Sequence, residues 1–155
     1  MDRRRLLIVA HAPSDNTRRM LDAVKEGARS PEFGSIEVVA INPFAANVAD
    51  VLSVKAIILG TTENIGYMSG ALKDFFDRIY DPCLERTQGL PYAAYIRGRS
   101  DGTGTRRGIE TITTGLRWRA VHEPLICQGK WDAAFIDQCR ELGAAVAAGL
   151  DLGIF

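Results

Sequence analysis

Short, unbroken apolar runs alternate along this chain with longer segments whose apolar residues recur every three or four positions. Leu6-Leu7-Ile8-Val9-Ala10 is a run of the first kind, as expected for a central parallel strand covered on both faces. It breaks at His11-Ala12-Pro13-Ser14-Asp15-Asn16-Thr17, after which Met20, Leu21, Val24 and Ala28 fall on one face of a helix. Residues 36–41 read as a second strand ended by Asn42-Pro43, and residues 44–54 leave room for a short helix ending near Leu52. Residues 56–60 form a third apolar strand. Past a loop, Met68, Leu72, Phe75, Phe76 and Ile79 share a helical register. A fourth strand is expected over 92–96, then a polar, glycine-rich loop over 98–104, then a helix marked by Ile109, Ile112, Thr113 and Leu116. A fifth strand falls somewhere within 118–127. Phe135, Cys139, Leu142, Val146 and Leu150 mark a closing helix.

Strands alternating with helices require a parallel sheet with right-handed crossovers. Five strands predict a doubly wound α/β sheet of order 2-1-3-4-5 with helices on both faces, formed by residues 1–155 as one domain. In that order ligands bind beyond the carboxyl ends of the strands, at the switch point between strands one and three. The loops 11–17, 61–67 and 98–105 are therefore the candidate site.

Composition narrows the function classes. The 155 residues carry 19 Lys+Arg against 19 Asp+Glu, a balance that argues against a nucleic-acid partner. Cys83, Cys127 and Cys139 are widely spaced and form no C-x-x-C pair. They are expected to be buried free thiols in a reducing compartment, with no metal site. The basic start, Met1 to Arg5, precedes an apolar run too short for a signal peptide, and no stretch approaches the roughly 20 apolar residues of a membrane span. A cytoplasmic location without membrane insertion is the expectation.

Ser14, Asn16 and Thr17 crowd the entrance of a helix, where free backbone N–H groups and the helix dipole favour an anion. The same residue types are the favoured helix caps, but their place after the first strand of a doubly wound sheet favours phosphate. The segment resembles the phosphate loop of flavodoxins, hydroxyl-x-hydroxyl-Gly-x-hydroxyl, with Ala12 in place of the first hydroxyl and Asp15 in place of the glycine. The Asp15 carboxylate is expected to oppose a bound phosphate. His11 resembles the opening of the loop in quinone-reductase relatives. The stretch from Gly60 to Arg78 resembles flavin reductases and multimeric flavodoxin-type proteins, whose pattern G-x-M-x-G-x-x-K-x-F-x-D-R is matched from Gly66 to Arg78. The resemblance implies FMN, with Tyr67 and Met68 as a wall for the flavin ring. Thr61, Thr62, Asn64, Ile65 and Gly66 are the remaining contacts on that loop. Phe75 and Phe76 are expected in the core, and Lys73, Asp77 and Arg78 in surface ion pairs of the helix. Gly98, Ser100, Gly102, Thr103 and Gly104 resemble the glycine-rich flavin loop of tryptophan-repressor-binding-protein-type quinone reductases, which holds the pyrimidine end of FMN with backbone N–H groups.

These resemblances imply an FMN-dependent oxidoreductase that takes electrons from NADH or NADPH and passes them to a quinone, a flavin or another small acceptor. No catalytic side chain is required, because the flavin carries the chemistry. Arg106 and Arg107 stand in a first helical turn, where cations are disfavoured, and are the candidates for the nicotinamide cofactor's phosphates. The alternatives are a flavodoxin-type one-electron carrier and a flavin-free binding or regulatory module on the same fold. The neutral balance and the basic stretch 97–107 favour the reductase over the carrier. The resemblance also implies a homo-oligomer, dimer or tetramer. Trp118 and Trp131 are expected in core or rim positions, and His122 in a structural one.

Overall fold

In the computed structural model, residues 3–155 are described; Met1 and Asp2 of the basic start lie outside them. The first apolar run forms β1 (Arg4–Ala10), buried from Leu6 onward. It pairs in parallel with β2 (Ile36–Ile41) on one side and β3 (Ala56–Asn64) on the other. Beyond β3 a tight turn leads into β4 (Tyr67–Met68), which folds back antiparallel on the end of β3. Next in the sheet is β5 (Pro91–Gly98), parallel to β3. The far position is filled by two short pieces, β6 (Arg119–Ala120) and β7 (Leu125–Gln128), both parallel to β5. With β4 taken as a hairpin arm and β6 and β7 as one interrupted strand, the order is the expected 2-1-3-4-5.

Among the described residues five α-helices cover the sheet: α1 (Asp15–Ala28), α2 (Val48–Leu52), α3 (Gly70–Cys83), α4 (Thr103–Gly115) and α5 (Ala134–Asp151). Successive strand residues face opposite layers. Leu7, Val9, Ile57 and Leu59 pack with Phe75, Phe76, Ile79 and Trp118 in one core, on the α2–α4 side. Leu6, Ile8, Ile58 and Tyr95 pack with Met20, Val24, Cys139 and Leu142 in the other, beneath α1 and α5. Those two helices approach so closely that a Cβ on Gly27 would run into the Arg140 carbonyl oxygen, and one on Gly143 into that of Val24.

The helical faces and the first two strands follow the sequence pattern, except that Met68, expected in the register of the third helix, lies in β4, and α3 begins only at Gly70. Three further features differ from it. The segment after Gly60 is not an open loop. β3 continues to Asn64, and a two-residue turn closes a hairpin in which Ile65 (φ 51°) and Gly66 (φ 75°) are both left-handed. Such a turn matches the twist of the strands it joins. Thr103 and Gly104 belong to the first turn of α4, not to the loop before it. The fifth strand is broken at 121–124, where Pro124 has no N–H to give to a ladder.

All three cysteines are free and buried, as expected. Trp118 is a core residue and Trp131 is half-buried. His122 is exposed, with its Nδ1 2.7 Å from the Glu123 carbonyl oxygen. Among the described residues, no helix is long and apolar enough to cross a membrane, and no group of three or more His, Cys, Asp or Glu is placed to hold a metal ion.

Candidate functional site

At the carboxyl ends of β1, β3 and β5 a cleft of about 540 Å³ is lined by His11, Pro13, Ser14 and Thr17, by Thr62, Glu63 and Asn64, by Arg97, Gly98 and Arg99, and by Gly129. All three loops singled out in the sequence thus meet in one place. The volume lies within the roughly 300–1,000 Å³ of small-molecule sites.

The α1 end of the cleft is built by a capping box. The Ser14 N–H donates to Thr17 Oγ1 (2.9 Å), and the Thr17 N–H donates to Ser14 Oγ (3.2 Å). The two hydroxyl oxygens are themselves 2.8 Å apart. The favoured-cap reading of these residues is therefore satisfied, and it coexists with the anion reading. The leading N–H groups of a helix have no intrahelical acceptor, and the Ser14 and Thr17 hydroxyls can exchange each other for an anion's oxygens. Asp15, expected to oppose that anion, has a side chain 93% exposed and paired with Arg18. Being three residues apart on one helix surface, the two side chains are neighbours, and the carboxylate lies outside the cleft lining. His11 follows β1, and its Nδ1 is buried without a hydrogen-bond partner. Burial holds its pKa below the ordinary value near 6.5, favouring the neutral ring.

The hairpin end is a different kind of structure. Thr61 is buried: its hydroxyl donates to the Thr62 carbonyl (2.8 Å) and accepts the Ser69 N–H (3.0 Å). Met68 is a core residue. Neither faces the cleft. Thr62 Oγ1 donates to Asn64 Oδ1 (2.9 Å) at its edge. Ile65, at the hairpin tip, is fully exposed. Tyr67 lays its ring on α4 at Gly108, where a Cβ would collide with it, and the Gly66 carbonyl presses in the same way on Gly104. Ile65, Gly66, Tyr67 and Gly104 sit outside the cleft lining, on the hairpin and the helix against it.

Sequence reading missed Glu63 and underweighted Arg97. Glu63 is only 4% exposed, the one buried charged residue among those described. Its Oε1 accepts the Ser100 N–H and its Oε2 the Gly102 N–H (3.1 Å). Two of the backbone donors expected to serve a ligand are thereby held by a side chain of the protein. Arg97 donates to the carbonyls of Cys127 (2.9 Å), Gly129 (2.8 Å) and Gly98 (3.2 Å). Its guanidinium lies over Trp131 and Phe135, and Arg19 covers Trp131 as well. A fixed cation thus lines the cleft, and Trp131 buttresses it. A cation on the carboxyl-terminal residues of a strand otherwise apolar from 92 to 96 was the available signal.

Arg106 and Arg107 line a separate groove on α4 with Thr103, Glu110, Thr111 and Thr114. Arg106 is ion-paired with Glu110 (2.6 Å) and Glu123 (3.0 Å), which hold its pKa above the usual value. Those carboxylates account for a cation in the first turn without a ligand. On α3, Lys73 pairs with Asp77 and Arg78 with Asp74, as the helical spacing implied. Arg78 also ties the 43–46 segment through the Ala46 carbonyl (2.8 Å).

The sheet order, the two helical layers and a cleft at the switch point define a flavodoxin-like α/β fold. No family model matches the chain. It is 27% identical over 112 residues to a flavodoxin of Aquifex aeolicus (strain VF5), a match that spans 72% of this chain and 60% of that protein's length. Among solved structures it is similar to a flavodoxin from the domain Archaea, with a TM-score of 0.78 and 19% identity over 93% of this chain and 96% of that one. It is likewise similar to a flavodoxin, WrbA-like protein from Agrobacterium tumefaciens, with a TM-score of 0.74 and 23% identity over 94% and 96% of the two chains.

Proposed function

We propose that this chain is a flavoprotein that binds FMN in the 540 Å³ cleft and passes electrons from NADH or NADPH to a quinone, a flavin or another small acceptor. The observation that carries this reading is the convergence of the three loops at the switch point of the sheet. FMN has an anionic end and a flat heteroaromatic end, and the cleft offers partners for both. Ser14 and Thr17 at the start of α1 line the cleft and are suited to the phosphate, with Arg97 as a cation in the same lining, whereas Asn16 lies outside it with its side chain toward Arg19. The ring would lie along the cleft wall that Thr62, Glu63 and Asn64 of the hairpin form with the 97–99 segment, where polar edges line the room for a planar group. Bound flavin supplies the hydride and electron chemistry; the protein binds, orients and shields it.

A second reading, a one-electron carrier, is supported by the flavodoxins among the similar proteins. Rapid mixing of the FMN-loaded protein with NADH and NADPH separates the two. Bleaching of the flavin absorbance within seconds supports the reductase. A flavin that only a partner protein or dithionite reduces supports the carrier. Purified protein that takes up no FMN at tens of micromolar overturns both. Gel filtration with and without FMN tests the expected dimer or tetramer.

A further inference from the structure

Glu63 is a residue whose burial nothing in the fold's core requires. It pairs across the hairpin with Met68, yet its carboxylate leaves the hairpin to reach a segment 37 and 39 residues further along the chain. A buried carboxylate is costly unless its charge is met. Here it is met by charge-assisted hydrogen bonds from two backbone N–H groups, one to each oxygen, which are stronger than neutral ones. The hairpin also packs on α4, the helix that follows the loop, in two places: the Gly66 carbonyl against Gly104 and the Tyr67 ring against Gly108. These side-by-side contacts need no particular side chain on α4 beyond the absence of one. Among the described residues, the Glu63 carboxylate is the side chain that clasps the hairpin to the loop by hydrogen bonds, and it lines the cleft.

We propose that Glu63 is a positioning residue for the cofactor: by clasping the Ser100 and Gly102 N–H groups it holds the two loops that flank the cleft as one body, so that the ring slot exists before the ligand arrives. The proposal rests on the flavin reading above. A pre-formed slot spares the ligand the cost of ordering a loop on binding. Gln at this position keeps the length but has one acceptor and one NH2, so one of the two loop N–H groups would face a donor. Asp keeps both acceptors on a shorter arm.

The test uses the full chain as wild type, Glu63→Gln and Glu63→Asp, titrated with FMN and with riboflavin, which lacks the phosphate. Amide hydrogen exchange at Ser100 and Gly102 is followed in the flavin-free proteins. Glu63→Gln is expected to weaken FMN and riboflavin by the same factor, about tenfold, the consequence of leaving one buried donor unpaired. Its Ser100 and Gly102 amides should exchange faster while the midpoint of thermal unfolding moves little. Glu63→Asp should fall between Gln and wild type for both flavins. Ser14→Ala, at the phosphate end, should weaken FMN and spare riboflavin. If wild type binds FMN and Glu63→Gln binds it equally well, the inference is wrong. A loss confined to FMN would move the action of Glu63 to the phosphate end and also overturn it. Wild type that binds neither flavin fails the flavin reading itself. Should Glu63→Gln not fold, Glu63→Asp carries the same comparison, and wild-type affinity for both flavins in it would refute the role.

Discussion

Tyr95 carries its hydroxyl into the core beneath α1 and α5 and finds no hydrogen-bond partner there. Burial raises its pKa well above the ordinary phenol value, so the group stays neutral and its polar atom is simply stranded. An unpaired buried hydroxyl costs about 1–3 kcal/mol, whereas Phe fills nearly the same volume. Tyr95→Phe is therefore expected to raise the urea midpoint, by about 1 kcal/mol of stability, with flavin affinity unchanged; a less stable variant would reveal a partner for the hydroxyl. Asp15 poses a question of sign. From its position alone the carboxylate should repel a phosphate. The structure turns it to solvent and to Arg18, and an exposed pair of this kind is worth only about 0–1 kcal/mol. Asp15→Asn is accordingly expected to change FMN affinity less than about threefold across salt concentrations. Tightening of tenfold or more at low salt, measured by flavin fluorescence, would put the carboxylate against the phosphate after all.

Helix against helix, the controlling feature is the contact of α1 with α5 through Gly27 and Gly143. Ala is the better helix former by about 1 kcal/mol. A Cβ on Gly143, however, would strike the Val24 carbonyl, a backbone atom that cannot rotate away. Overpacking of that sort costs about 1–3 kcal/mol, so the clash outweighs the propensity. Gly143→Ala should lower the thermal midpoint by a few degrees, and a rise would mean that the helices separate freely. Such a contact could not be read from the chain, though the helices themselves could. Met20, Val24 and Ala28, or Phe135, Cys139 and Leu142, recur at the helical interval because burial on one face demands it. The hairpin was hidden for the opposite reason. Its strand residues Thr61, Thr62, Glu63 and Asn64 are polar, and their pairing serves a loop rather than a core. Glu63 was invisible because its partners lie far off in sequence. The broken fifth strand was indistinct because Arg119-Ala120 is too short to show a period.

Over the whole molecule, the place where the three candidate loops meet was readable and their wiring was not. Strand order follows from the alternation of elements, and the order fixes where a ligand can sit. Which donors remain free there depends on contacts between distant loops. Ligand linkage is the global consequence. If FMN binds the folded chain alone, a hundredfold excess over its dissociation constant adds about 2.7 kcal/mol. For a chain of this length that should raise the thermal midpoint by roughly 5–10 °C. Scanning calorimetry showing no concentration-dependent rise would exclude specific binding to the native state. The interruption between β6 and β7 has a consequence of another kind. A sheet ending in a long, regular strand offers a row of open N–H and C=O groups on which another chain can polymerise. Here the last position is held by pieces of two and four residues that leave Ala93 and Ala94 of β5 without ladder partners on this side, and the exposed His122 and Glu123 stand in the gap. An incoming strand would meet a break in register and the Glu123 charge after at most four consecutive pairs, so this edge is a poor template for sheet-to-sheet aggregation.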